Sequence, residues 1–136
     1  MDTYQILLVE DQVLLRQALQ RCLLNNHYKV ISVASMAEAM VALQADWVDL
    51  LLTDVTLSGA GGGFELAKWS RALRPALPIV LMSGTALFST PAELSSDPAV
   101  RLLAKPFQIP EMLALLAELL AWRVGNPSDP DASSHL

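Results

Sequence analysis

Hydrophobic residues in this chain follow two patterns in alternation. Short apolar runs occur at Ile6-Leu7-Leu8-Val9, Leu50-Leu51-Leu52 within Val48 to Asp54, and Ile79 to Met82, with shorter ones broken by polar residues at Tyr28 to Val33 and Val100 to Leu103. The run at Ile6–Val9 and the one ending at Asp54 predict strands buried on both faces, as in a parallel sheet, and the other three predict further strands. Between them the apolar spacing turns helical. Gln12 to Leu24 places Leu15, Ala18, Leu19, Cys22 and Leu23 on one side. Ser35 with Glu38 three residues on forms a capping box for a helix to about Ala45. Phe64 to Leu73 is helical and is stopped by Pro75 and Pro78. Thr90-Pro91-Ala92-Glu93 starts a helix of little more than a turn, with Pro91 at the first helical position. Ile109 to Arg123 is the last helix, and Gly125 onward reads as a tail or the start of a linker. The expectation is an α/β fold of the (βα)5 type, a doubly wound parallel sheet in one domain over residues 1–124, with 125–136 outside it.

Composition narrows the function classes. The chain has 136 residues, 53% hydrophobic and 17% charged, with a formal net charge of −5. That is ample for a core. Nine Lys and Arg spread over the chain make no basic stripe, so no direct nucleic-acid partner is expected. The N-terminus shows no signal-peptide pattern. The longest apolar helical stretch, Met112 to Trp122, carries Glu118 and is too short to span a bilayer. A cytoplasmic protein without membrane contact is expected. The single Cys22, Trp47, Trp69 and Trp122 read as packing residues, His27 as a solvated loop residue, and His135 as part of the tail. The nearly uncharged last helix, with Ala114, Ala117 and Ala121, is either a harmless small face or a partner surface such as a homodimer.

Chemistry enters at the strand ends. Four strands run into polar residues: Glu10 and Asp11, Asp54, Ser83, and Lys105. In a parallel sheet these ends share one edge, the edge where open α/β sheets bind ligands. Three carboxylates gathered there must raise their pKa values or take up a cation. An all-oxygen site suits Mg²⁺. Lys105 offers a point charge to a phosphoryl group and Ser83 a hydroxyl. The set describes transfer of a phosphoryl group to Asp54. The glycine-rich loop 58–63 lacks the Gly-Lys-Ser/Thr ending of a phosphate cradle.

Glu10-Asp11, Asp54, Ser83 and Lys105-Pro106-Phe107, in this order, resemble the response-regulator receiver domain of two-component signalling over residues 4–123. The resemblance implies a flavodoxin-like sheet of order 2-1-3-4-5. It implies that Asp54 accepts phosphate from a histidine kinase or histidine phosphotransfer protein. It further implies Mg²⁺ on Asp11, Asp54 and the Thr56 carbonyl with Glu10 in the second shell, Lys105 and Ser83 at the phosphoryl group, and a cis Lys105-Pro106 bond. No catalysis on a separate substrate is expected. This sequence departs from the family pattern in three places. Ser58 stands where Pro is usual, with an extra loop residue before Gly63, as in receivers working with hybrid histidine kinases. Leu102 replaces an aromatic residue three positions before Lys105. The fourth helix is short, after a long loop 85–89. Two other readings stay open. Asp54-Val55-Thr56-Leu57-Ser58 also resembles the nucleophile motif of haloacid-dehalogenase-like phosphatases, and the alternative to both is a receiver-like module that acts by binding without carrying phosphate.

Overall fold

The structure is a computed structural model that describes residues 3–59, 61–84 and 90–125, the last two by backbone alone. The elements follow the sequence pattern. They are β1 (Gln5–Val9), α1 (Val13–Asn25), β2 (Lys29–Val33), α2 (Met36–Ala45), β3 (Leu50–Asp54), α3 (Gly63–Leu73), β4 (Ile79–Ser83), α4 (Ala92–Ser95), β5 (Val100–Ala104) and α5 (Ile109–Gly125). The five strands form one parallel sheet in the order β2-β1-β3-β4-β5. This is the expected doubly wound, flavodoxin-like arrangement.

β3 lies at the centre, and all five of its residues are buried. Successive side chains of a strand point to opposite faces, so a run without polar alternation needs cover on both. Leu51 joins Leu7, Ile79, Leu43 and Leu66 on the face covered by α2 and α3. Leu50 and Leu52 join Ile6, Leu8, Leu19 and Leu116 on the face covered by α1 and α5. Cys22 is half-buried against that second face, as a small packing residue would be.

Several boundaries and caps differ from the sequence reading. Ser35 caps α2 by accepting the Glu38 N–H at 3.2 Å, but the return arm of the box differs. The Glu38 carboxylate takes the Ala34 N–H at 3.3 Å and the Ser35 hydroxyl at 3.1 Å instead of the Ser35 N–H. Pro91, expected as the first helical residue, is the N-cap of α4, so the helix begins one residue later than expected; Pro91 has φ −55° and ψ 141°. Gly125, expected to begin the tail, is the last residue of α5. Glycine propensity is overridden there because α5 is anchored just before its end. Arg123, 4% exposed, reaches the start of β3, where its Nη1 donates to the Asp49 carbonyl at 2.9 Å and lies 3.2 Å from Asp49 Oδ1. The same Oδ1 accepts the Trp47 indole N–H at 2.8 Å. Arg74 and Arg123 lie 4.8 and 5.2 Å from the Trp47 ring centre. Trp47 is therefore a packing residue, as expected, inside a polar cluster that periodicity did not reveal. Residues 126–136, including His135, and the loop 85–89 lie outside the described residues.

Candidate phosphoryl and metal site

The sheet brings the polar strand ends together. β1 ends at Val9, so Glu10 and Asp11 emerge beside the end of β3, and the Glu10 N–H still pairs with the Val33 carbonyl at 3.1 Å. Asp54 is the last residue of β3, and the Val55 N–H continues the pairing to the Met82 carbonyl at 2.9 Å. Ser83 ends β4, and its carbonyl accepts the Lys105 N–H at 2.9 Å. Lys105 follows β5 directly, and its bond to Pro106 is cis, as the family resemblance implied.

Carboxylate oxygens of Glu10, Asp11 and Asp54 lie within 4.8 Å of one another. Lys105 Nζ sits 2.7 Å from Asp54 Oδ2 and 3.4 Å from Glu10 Oε1. Backbone donors complete the ring. Thr56 N–H donates to Asp54 Oδ1 at 3.0 Å, Gln12 N–H to Glu10 Oε2 at 3.1 Å, and Ser58 N–H to Asp11 Oδ2 at 2.9 Å. Asp11, Gln12, Asp54, Thr56, Ser83, Gly84 and Lys105 line an open cavity of about 270 Å³. All six residues singled out in the sequence are therefore at one place. Gln12, Ser58 and Gly84 were not assigned to the site: Gln12 acts through a backbone N–H, which carries no side-chain signature, and Ser58 through its N–H together with its hydroxyl. Arg16, one turn into α1, was missed as well, and its Nη1 donates to the Glu10 carbonyl at 2.8 Å.

Gly63 has a steric role here. A Cβ on it would overlap the Asp54 carbonyl oxygen and come 2.7 Å from Val55 Cα. Its N–H donates to the Val55 carbonyl at 2.8 Å, so the chain folds back closely behind Asp54.

Electrostatics divide the three acids. Burial, joined by the hydrogen bond and charge of Asp54, pushes Glu10 up to about 7, against the opposing pull of the Gln12 N–H and Lys105. Burial would raise Asp11 too, but hydrogen bonds from the Ser58 hydroxyl and backbone outweigh it and hold Asp11 below the usual aspartate value. Burial works against the Lys105 ammonium, but Asp54 and Glu10 more than restore it and raise its pKa. One acid thus shares its proton near neutrality, while a cation is held against Asp54. A compact set of oxygen donors beside a lysine, with no His or Cys among them, fits a hard divalent cation.

A family model of the response regulator receiver domain matches residues 6–117. Over 102 residues the chain is 32% identical to the C4-dicarboxylate transport transcriptional regulatory protein DctD of Rhizobium meliloti, covering 75% of this chain and 22% of that one. It spans about a quarter of the length of the first curated relatives it matches. Among solved structures it is similar to a response regulator receiver protein from Sinorhizobium medicae, with TM-score 0.79 and 26% identity over 88% of this chain and 96% of that one. It is also similar to the receiver domain from the hybrid histidine kinase CckA, with TM-score 0.71 and 28% identity over 85% and 98% of the two chains. These matches do not favour the haloacid-dehalogenase-like reading.

Proposed function

The chain belongs to the response regulator receiver family, and on that premise we propose that it takes a phosphoryl group onto Asp54 and passes the signal on by protein contact. The observation that carries this is the Lys105 ammonium 2.7 Å from Asp54, with the Asp11 and Glu10 carboxylates alongside. An Asp54 oxygen attacks phosphorus, the P–N bond of a phosphohistidine breaks, and its electron pair returns to the donor imidazole. Lys105 turns from Asp54 to the incoming phosphoryl oxygens, and the Ser83 hydroxyl donates to them. The Thr56 N–H holds the Asp54 oxygen that does not react. Asp11, Asp54 and the Thr56 carbonyl would hold Mg²⁺, with Glu10 behind them. Bound there, Mg²⁺ supplies neutralisation of the charge that gathers on the phosphoryl oxygens.

The donor is a histidine kinase or a histidine phosphotransfer protein. Val13 and Leu14, beside the site at the start of α1, are 53% and 81% exposed, which suits a protein partner. On α5, Ala114, Ala117 and Ala121 are exposed and Trp122 is 37% exposed, which supports a second protein contact, a further copy of this chain included. The acidic net charge of −5 argues against direct nucleic-acid contact. None of the described helices is long and apolar enough to cross a membrane, which agrees with a cytoplasmic location. The chemistry is confined to the protein's own aspartate, so no turnover of a separate substrate is expected. Intact mass after incubation with Mg²⁺ and acetyl phosphate, or with a panel of kinases, should rise by one phosphoryl group in the wild type and not in Asp54→Asn. Equal labelling of the two would refute the assignment.

A further inference from the structure

We propose that Met36, at the start of α2, is a positioning residue for this site, acting through Gly61 and Ser58 on Asp11. The inference deepens the phosphoacceptor reading and rests on it.

Asp11 follows β1, and within its own segment its backbone and the Glu10 side chain each hydrogen-bond its carboxylate. The larger hold comes from Ser58, through its hydroxyl and through its N–H, which lies 2.9 Å from Oδ2 and 47 residues away in sequence. That bond holds one Asp11 oxygen while a carboxylate oxygen of Asp11 lies within 4.8 Å of those of Asp54 and Glu10, so it helps to set how Asp11 offers a ligand. Ser58 is exposed, so its N–H is only as well placed as the chain on either side of it. On one side Leu57 is 8% exposed and packed into the α2–α3 face. On the other, Gly61 adopts φ 83° and lies against Met36. A Cβ on Gly61 would overlap the Met36 sulfur, so the thioether occupies the space where a side chain would be. Met36 is itself held. Ser35 caps the helix that begins with it, and its side chain packs against the core of that face. A packed helix end is therefore set against Gly61, three residues along the chain from the donor on Asp11. A thioether suits this place because it is flexible and polarisable, and fills irregular gaps against backbone. Outer partners of this kind typically matter about tenfold to a hundredfold in metal affinity, because they orient the ligand before the ion arrives.

The test uses the full chain with Met36→Ala, Met36→Leu and Ser58→Pro. Ser58→Pro removes both Ser58 donors to Asp11, the N–H and the hydroxyl, and leaves Met36 untouched. Mg²⁺ affinity is measured by calorimetry, the Ser58 amide exchange rate by NMR in EDTA, and thermal stability alongside. In Met36→Ala the Ser58 amide should exchange about tenfold faster without metal, and Mg²⁺ affinity should fall about tenfold. Met36→Leu, which refills the space, should restore both. Ser58→Pro should lose Mg²⁺ affinity by a similar factor. If Met36→Ala lowers the melting temperature while Ser58 exchange and Mg²⁺ affinity stay as in wild type, Met36 is only a packing residue and the proposal fails. Unchanged or tighter Mg²⁺ binding in Ser58→Pro overturns it too. Asp11→Asn separates the two levels. Its loss of Mg²⁺ binding supports the underlying site, whereas full binding there would overturn the metal reading itself.

Discussion

Replacing Glu10 by Gln should stabilise the metal-free protein, and only above about pH 5. Glu10 is fully buried, and its pKa rises from 4.5 to about 7. An acid whose folded-state pKa is raised binds its proton more tightly in the native state than in the unfolded chain. Between pH 4.5 and about 7 the folded state therefore holds more protons, and stability falls as pH rises through that window. Below it the carboxyl is neutral in both states and nothing is lost. Above it the full penalty applies, and the gap between 4.5 and about 7 is worth ~3 kcal/mol. Gln reproduces the protonated acid. Its carbonyl can accept the Gln12 N–H and its amide can donate toward Asp54. The measurement is urea unfolding in EDTA at pH 4, 6 and 8, comparing midpoints at constant slope. The two proteins should agree at pH 4, and Glu10→Gln should be more stable at pH 8 by a few kcal/mol at most. Adding Mg²⁺ at pH 8 should narrow the gap, since a cation that binds only the folded state stabilises the wild type by mass action. A pH-independent difference, or a mutant less stable than wild type at pH 8, would refute the account of burial as the cause.

Gly63→Ala should both destabilise the fold and slow phosphorylation of Asp54, because the new methyl group meets the Asp54 carbonyl and Val55 backbone, which have no flexible end to move aside. Urea unfolding and the initial rate of mass labelling read the two effects, and normal values of both would show that the backbone there yields. Arg123→Met leaves Asp49 buried without its cation and should cost about 3–5 kcal/mol. Because the cluster sits at the sheet edge opposite Asp54, the folded fraction should still label at the wild-type rate, and a loss under ~1 kcal/mol would contradict the buried-pair reading.

The sequence by itself determined the alternation of strand and helix, the parallel sheet and its two covered faces. Those follow from short apolar runs, most nearly continuous in β1, β3 and β4, alternating with helical spacing. It determined the acidic edge too. Once the strands are parallel, Glu10, Asp11, Asp54, Ser83 and Lys105 must share a side, whatever the details of packing. Strand order came from the family resemblance, since periodicity does not say which strand is a sheet's neighbour. Tertiary structure alone decided the backbone donors. Gln12 and Thr56 act through N–H groups that every residue but proline possesses, and Ser58 through its N–H as well as its hydroxyl, so residue type marks none of these backbone donors. It decided the unequal acids as well: Glu10 is raised and Asp11 lowered by burial and by partners 44 and 47 residues away in sequence, Asp54 and Ser58. It also decided the extension of α5 to Gly125. A helix end is set there by where Arg123 finds Asp49, and that long-range contact outweighs the local preference of glycine to stop a helix.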